Sequence, residues 1–176
     1  NGNHLGWGRV DPIGGSNYLF INPFILDPLD KNKMYQAAGE NLWRNNNLNS
    51  IPLAQTNDST SIGWTKLLNS SVGTGGKITS LAAVANGSST RLYYGTSFGK
   101  VYRIDDAANG DPVKKDLKFL IPFMGSYVNC VAVDPDDINK VFAVFSNYNT
   151  KSVIYSTDGG TTWADVSGNL EENSNG

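Results

Sequence analysis

The chain has almost none of the residues that build metal centres. Of its 176 residues one is a cysteine, Cys130, and one is a histidine, His4. An internal disulfide is excluded, and with it the Cys/His clusters of zinc and iron–sulfur sites, so no cofactor and no metal is expected. Cys130 stands in Val128-Asn129-Cys130-Val131-Ala132-Val133, a run where a small apolar side chain suits a buried strand. Core packing is the expectation for it. Charge is scarce too, at 17% of residues, with 14 basic against 16 acidic side chains. Without a basic excess there is no footprint for phosphate backbones or anionic lipid, and nucleic acid is not an expected partner. No apolar run approaches the roughly 18 residues that cross a bilayer, so membrane insertion is not expected either. The opening Asn1-Gly2-Asn3-His4 lacks the charged-then-apolar order of an export signal, which is expected to have been removed or to lie upstream.

What the chain does have is turn chemistry. Nineteen glycines, together with many Asn, Ser and Thr, disfavour long exposed helices and exclude a helical bundle. Three segments can be laid over one another, each an apolar run, a turn and further short β-rich runs. The first runs Phe20–Pro28, Met34–Gly39 and Asn41–Asn46; the second Ile78–Val84, Leu92–Thr96 and Lys100–Asp105; the third Val128–Pro135, Val141–Phe145 and Val153–Asp158. Each unit is expected to close with a fourth strand, at Trp64–Leu68, Lys118–Ile121 and Thr162–Val166. Four strands recurring about every 40 to 50 residues are the signature of a propeller blade. The polar, Asn-rich stretch Asn45–Ser61 reads as an insertion in the first unit, of the kind that surface loops tolerate. Asp27-Pro28-Leu29-Asp30-Lys31-Asn32 and Asp134-Pro135-Asp136-Asp137-Ile138-Asn139 fall at the same place in their units and read as turns, because Asp and Asn close local turns and Pro ends strand pairing.

The sharpest motif is Ser156-Thr157-Asp158-Gly159-Gly160-Thr161-Thr162-Trp163. It fits Ser-x-Asp-x-Gly-x-Thr-Trp, a hairpin in which Asp158 accepts turn amides, Gly160 or its neighbour takes positive φ, and Trp163 anchors the outgoing strand. In the overlay Asp158 corresponds to Asp105 and Asn46, and Ser156 to Arg103 and Arg44, so the other copies read as degenerate. On these residues the chain resembles the Asp-box, or BNR-repeat, β-propellers, which include sialidases, xyloglucanase-type glycoside hydrolases and the sortilin ectodomain. Within that family the motif is structural, and the resemblance covers residues 18 to 170. Asn22-Pro23-Phe24-Ile25-Leu26-Asp27-Pro28 and Leu42-Trp43-Arg44-Asn45-Asn46 also resemble large secreted repeat proteins of Bacteroidetes-type bacteria.

A glycoside hydrolase needs two facing carboxylates, and the supply is thin. The glutamates are Glu40, Glu171 and Glu172; Asp27, Asp134, Asp136 and Asp137 belong to repeated turns, and Asp105 and Asp158 to hairpin corners. Asp11, in Arg9-Val10-Asp11-Pro12-Ile13-Gly14-Gly15, is the one weak catalytic candidate; it is distantly similar to a stretch near a catalytic aspartate of xyloglucanase-type enzymes, and Pro12-Ile13 departs from that pattern. The arginines Arg9, Arg44, Arg91 and Arg103 are too few for a sialidase triad, and Arg44 and Arg103, as repeat equivalents, are expected at the blade edge as solvated or strand-pairing residues. Most aromatics are expected in the core; Trp7 and Tyr148 are the expected exposed exceptions, available to stack on sugar rings. Asn57, Asn69 and Asn86 each open an Asn-x-Ser acceptor tripeptide in a loop.

The expectation is therefore an all-β propeller segment of three four-stranded antiparallel blades. Residues 1–17 are a loop or the outer strand of a preceding blade, 18–70 the first blade, 77–122 the second, 126–170 the third, and 171–176 a handover to a next blade. Three blades do not close a ring, so the expected partners are the remaining blades of the same protein or a second copy, with a polysaccharide or protein as ligand. The expected role is binding or scaffolding outside the cell, secreted or at the surface; the alternative is a fragment of a secreted glycoside hydrolase.

Overall fold

The computed structural model describes residues 6–53, 57–118, 127–147 and 150–170. Twelve strands form three antiparallel sheets of four. The first holds β1 (Phe24–Leu26), β2 (Met34–Ala38), β3 (Asn41–Asn45) and β4 (Trp64–Leu67). The second holds β5 (Ile78–Asn86), β6 (Ser89–Thr96), β7 (Val101–Ile104) and β8 (Lys115–Leu117). The third holds β9 (Val128–Val133), β10 (Val141–Phe145), β11 (Val153–Ser156) and β12 (Ala164–Asp165). In each sheet the strands lie side by side in chain order, so every sheet is an up-and-down meander, the blade of a propeller. Helical structure among the described residues is limited to short 3-10 turns.

The sheets stack face to face, and strand alternation decides what each face buries. In β6, Leu92 and Tyr94 point into the cluster shared with the first sheet, among Tyr35, Leu42, Leu67 and Ile104. Tyr93, between them, points the other way, into the cluster shared with the third sheet, among Val101, Val128, Val141 and Ile154. All three β6 residues are fully buried. A middle blade has no wet face, which is why Leu92-Tyr93-Tyr94 reads as a continuous apolar run. Gly95 marks the tightest approach: a Cβ there would lie 2.3 Å from Val128 Cγ1, so only glycine lets the third sheet come this close.

Register aligns the three blades residue by residue. Ile25, Tyr35, Arg44 and Thr65 form one row across the first sheet. Ala82, Tyr93, Arg103 and Lys115 form the same row in the second. Ala132, Phe142, Tyr155 and Ala164 form it in the third. A hydrogen bond recurs with this register: Leu48 N donates to Asn32 O at 2.9 Å, Ala107 N to Thr90 O at 2.8 Å, and Gly159 N to Asn139 O at 2.9 Å. Each ties the corner between third and fourth strands to the residue three before Tyr35, Tyr93 or Phe142, at the start of the second strand or just ahead of it. The overlay read from sequence is thus one residue out of step at the corner. Ser156 stands level with Ile104 and Asn45, not with Arg103 and Arg44, and Asp158 with Asp106 and Asn47.

Several expectations need correction. The first strand begins at Phe24 and not Phe20, because Pro23 has no amide to donate and Phe20 and Ile21 lie exposed before it. The fourth strand of the second blade is Lys115–Leu117, ahead of the expected Lys118–Ile121; residues 119–126 lie outside the described residues. Its charged start suits an edge, where charge discourages pairing with other chains. Cys130 is exposed and not in the core. A bulge beside Val128 and the pairing of Cys130 with Val144 put it on the face opposite Val131, which is buried. Arg44 is 4% exposed and is not at a solvated edge; its Nη1 donates to Ala107 O and Gly110 O, both 2.9 Å, in the next blade. Arg103 repeats this across the second junction, donating from Nη1 to Gly159 O at 2.7 Å.

Candidate functional site

The Ser156–Trp163 corner is assembled from its own side chains. Asp158 Oδ1 accepts from Ser156 Oγ (2.8 Å), Thr161 N (2.9 Å) and Thr162 N (2.8 Å), while Oδ2 accepts from Thr162 Oγ1 at 2.6 Å. Ser156 Oγ in turn accepts from Gly160 N at 2.8 Å. Gly159 and Gly160 have φ of 70° and 91°, in the left-handed region that other residues reach only with strain. A Cβ on Gly160 would also sit 2.5 Å from Leu117 Cδ1, so this corner presses directly on the second blade. Trp163 is half-buried beside the same core and donates from Nε1 to Gly160 O at 3.1 Å. The Thr162 hydroxyl, then the Thr162 amide, with Ser156 and Thr161, hold the Asp158 carboxyl down at about 2. A carboxylate so fully engaged by donors is a fixed acceptor.

The other candidate carboxylates are engaged as well. Asp27, buried, accepts from Leu29 N (2.9 Å), Asp30 N (3.1 Å) and Tyr35 Oη (2.7 Å). Burial works to raise its pKa, but the Tyr35 hydroxyl and the turn amides prevail and leave it lowered. Asp105 is gripped by Arg91 Nε at 2.8 Å, Lys115 Nζ at 2.7 Å and Arg103 Nη2 at 3.2 Å. Burial opposes ionisation there too, and Lys115 with the two arginines overcomes it. The four arginines do not converge: Arg44 serves the first junction, Arg91 and Arg103 share Asp105, and Arg9 pairs with Asp11.

Asp11 lies in the segment that crosses the outer side of the first blade. Pro12 bridges Thr60 in parallel, Ile13 N donates to Thr60 O, and Trp64 Nε1 donates to Val10 O at 2.7 Å. Arg9 binds both Asp11 carboxylate oxygens, with Nη2 to Oδ2 at 2.9 Å, and its Nη1 donates to Asn57 O at 2.8 Å. The Asn-rich insertion and this segment border an open, shallow cavity of about 180 Å³ lined by Gly8, Arg9, Pro52, Asp58, Thr60 and Ile62 among others. Trp7 stands next in the chain to this lining and is 45% exposed. The structure thus brings Trp7, Arg9 and Asp11 to one edge of the first blade, far in sequence from the Ser156–Trp163 corner in the third. Tyr148 lies outside the described residues. No group of three or more His, Cys, Asp or Glu that could hold a metal ion occurs among the described residues. The inter-blade arginines are the residues that sequence reasoning misplaced; their signal was the Tyr and Arg standing opposite each other in two units.

No protein-family model matches the chain and no curated protein does. Solved structures do. A GH74 enzyme from Niastella koreensis aligns with a TM-score of 0.56 at 18% identity, over 82% of this chain and 22% of that one. The GH74 xyloglucanase of Xanthomonas campestris aligns with a TM-score of 0.45 at 15% identity, over 80% of this chain and 29% of that one. The likeness to the first is one of fold: three blades of a propeller. The chain spans only 22% of the length of the Niastella koreensis enzyme, so it corresponds to part of a propeller that needs further blades.

Proposed function

We propose that the chain is a section of a secreted or cell-surface propeller of the Asp-box type, serving as a non-catalytic module that recognises carbohydrate or protein through its inter-strand loops. The observation that carries this reading is the engagement of its carboxylates. Asp27, Asp105 and Asp158 each accept several hydrogen bonds or ion pairs from their own turn or sheet. Asp11 is bound through both oxygens by Arg9. Glycosidic cleavage needs one carboxyl to hold a proton and a second to face it across the sugar. Groups fixed as acceptors in construction are poorly suited to either task. Exposed Trp7, beside the cavity of the first blade, offers an apolar face of the kind that stacks on a sugar ring.

A second reading is favoured by the GH74 neighbour: a glycoside hydrolase whose facing carboxylates include residues of other blades, with Asp11 as this chain's contribution. One experiment separates the two. The natural protein is screened against plant and host polysaccharides for retention and for reducing-sugar release. Retention without release, weakened by Trp7→Ala, supports the binding module. Release that falls at least about 100-fold in Asp11→Asn, with folding unchanged, establishes the hydrolase instead.

A further inference from the structure

Each junction in this chain is made by one face of a blade meeting the inner strand and outer corner of the next. At the first, Tyr35 and Arg44 face the second blade, and Arg44 donates to Ala107 O. At the second, Tyr93 and Arg103 face the third, and Arg103 donates to Gly159 O. Ala107 and Gly159 are equivalent residues by register, so the two junctions share one device. The same row of the third blade is Ala132, Phe142, Tyr155 and Ala164. Phe142 and Tyr155 stack with ring centroids 4.5 Å apart, and Phe142 is 38% exposed. The row beside it holds Cys130, Val144 and Val153, where the second blade has Ser80, Gly95 and Val101. Those three equivalents are all buried, whereas Cys130 is exposed.

We propose that this face of the third blade is a third inter-blade junction, built to seat the inner strand of a further four-stranded blade through an apolar contact in place of the arginine clamp. The occupant follows from continuity with the two junctions already present: same register, same rows, same spacing of strands. Its chemistry follows from what changes. Phe142 and Tyr155 bring no cation to a neighbouring carbonyl, so the incoming corner needs apolar surface where Ala107 and Gly159 offer an acceptor. Val144 replaces Gly95, so the incoming strand must carry a smaller residue than Val128 at the point of closest approach. Such a strand presents aliphatic residues at alternate positions and a small residue opposite Val144.

The inference rests on the reading of the chain as a section of a longer propeller, and its test is independent of any glycan. Cys130 is the probe: its rate of alkylation by iodoacetamide is compared between the 176-residue chain and the natural protein, both folded. Alkylation of the natural protein slowed by about 30-fold or more, with the protection independent of protein concentration, supports the junction. In the natural protein Phe142→Ser should restore fast alkylation, and it should lower the thermal midpoint of the natural protein by more than that of the 176-residue chain, where only the stack on Tyr155 is lost. Equal rates in a natural protein longer than this chain overturn the junction but not the propeller reading. A natural product of this length that is monomeric overturns both. Protection that disappears on dilution, together with a dimer mass, assigns the face to a second copy and overturns the proposal as stated.

Discussion

The turns after the first strands of the first and third blades are copies down to their hydrogen bonds, yet their environments differ. Asp27 N donates to Lys33 O and Lys33 N to Asp30 O; Asp134 N donates to Lys140 O and Lys140 N to Asp137 O. The side chain of Asp27 takes Leu29 N as that of Asp134 takes Asp136 N, both at 2.9 Å. Nevertheless Asp27 is 1% exposed and bonded to the Tyr35 hydroxyl, while the Asp134 side chain is 32% exposed beside Lys140. The second blade covers the first turn, and no described residue covers the third. Local sequence made the turn twice; a neighbouring blade made one copy part of the core.

The comparison is broken most severely by removing its buried member. Asp27→Ala strips the partner from Tyr35 and two turn amides in a buried place and should cost about 3 kcal/mol, read from urea unfolding. Asp134→Ala should stay within about 0.5 kcal/mol. Equal losses at the two sites would show that the turn, not the junction, sets the cost. Arg44→Met comes next, at about 2 kcal/mol, because two carbonyls lose a charged donor; Arg103→Met, with one such bond to a corner carbonyl, should cost less. Gly95→Ala should lose about 1 to 3 kcal/mol by forcing Val128 away, whereas Gly110→Ala, with open space around it, pays only for its positive φ.

The smallest effect concerns acid. Asp158 and Asp165 are held at about 2, against an ordinary 3.8, Asp158 chiefly by the Thr162 hydroxyl and Asp165 chiefly by Ser167. A carboxylate lowered in the folded state adds stability that is fully present above pH 4 and is lost as the pH falls toward 2. Asp158→Asn should therefore lower the unfolding midpoint modestly near neutrality and flatten its fall over that window, so that variant and parent converge toward pH 2. A midpoint that drops between pH 6 and 5 would point to a different group.

Three blades of four strands were legible because each blade repeats an apolar run and a turn, and Asp-Pro and Gly-Gly fix turns locally. The fourth strand of the second blade was misread because apolar Phe119-Leu120-Ile121 outweighed Lys115-Asp116-Leu117, although an outer edge prefers charge. At the candidate site, the acceptor role of Asp158 was readable from Ser-x-Asp-x-Gly-x-Thr-Trp, since every donor it uses lies within four residues. The inter-blade roles of Arg44 and Arg103 were not, because their acceptors lie 63 and 56 residues away in the chain.

Sequence alone determined the strand count, the turns and the Ser156–Trp163 corner, all of which depend on contacts between near neighbours along the chain. Tertiary structure decided which of two turns of the same backbone pattern is buried, which arginines cross a junction, and that Cys130 faces outward. Those outcomes depend on whether another blade stands beside the residue, and period-two alternation says which residues share a face but not which face is covered.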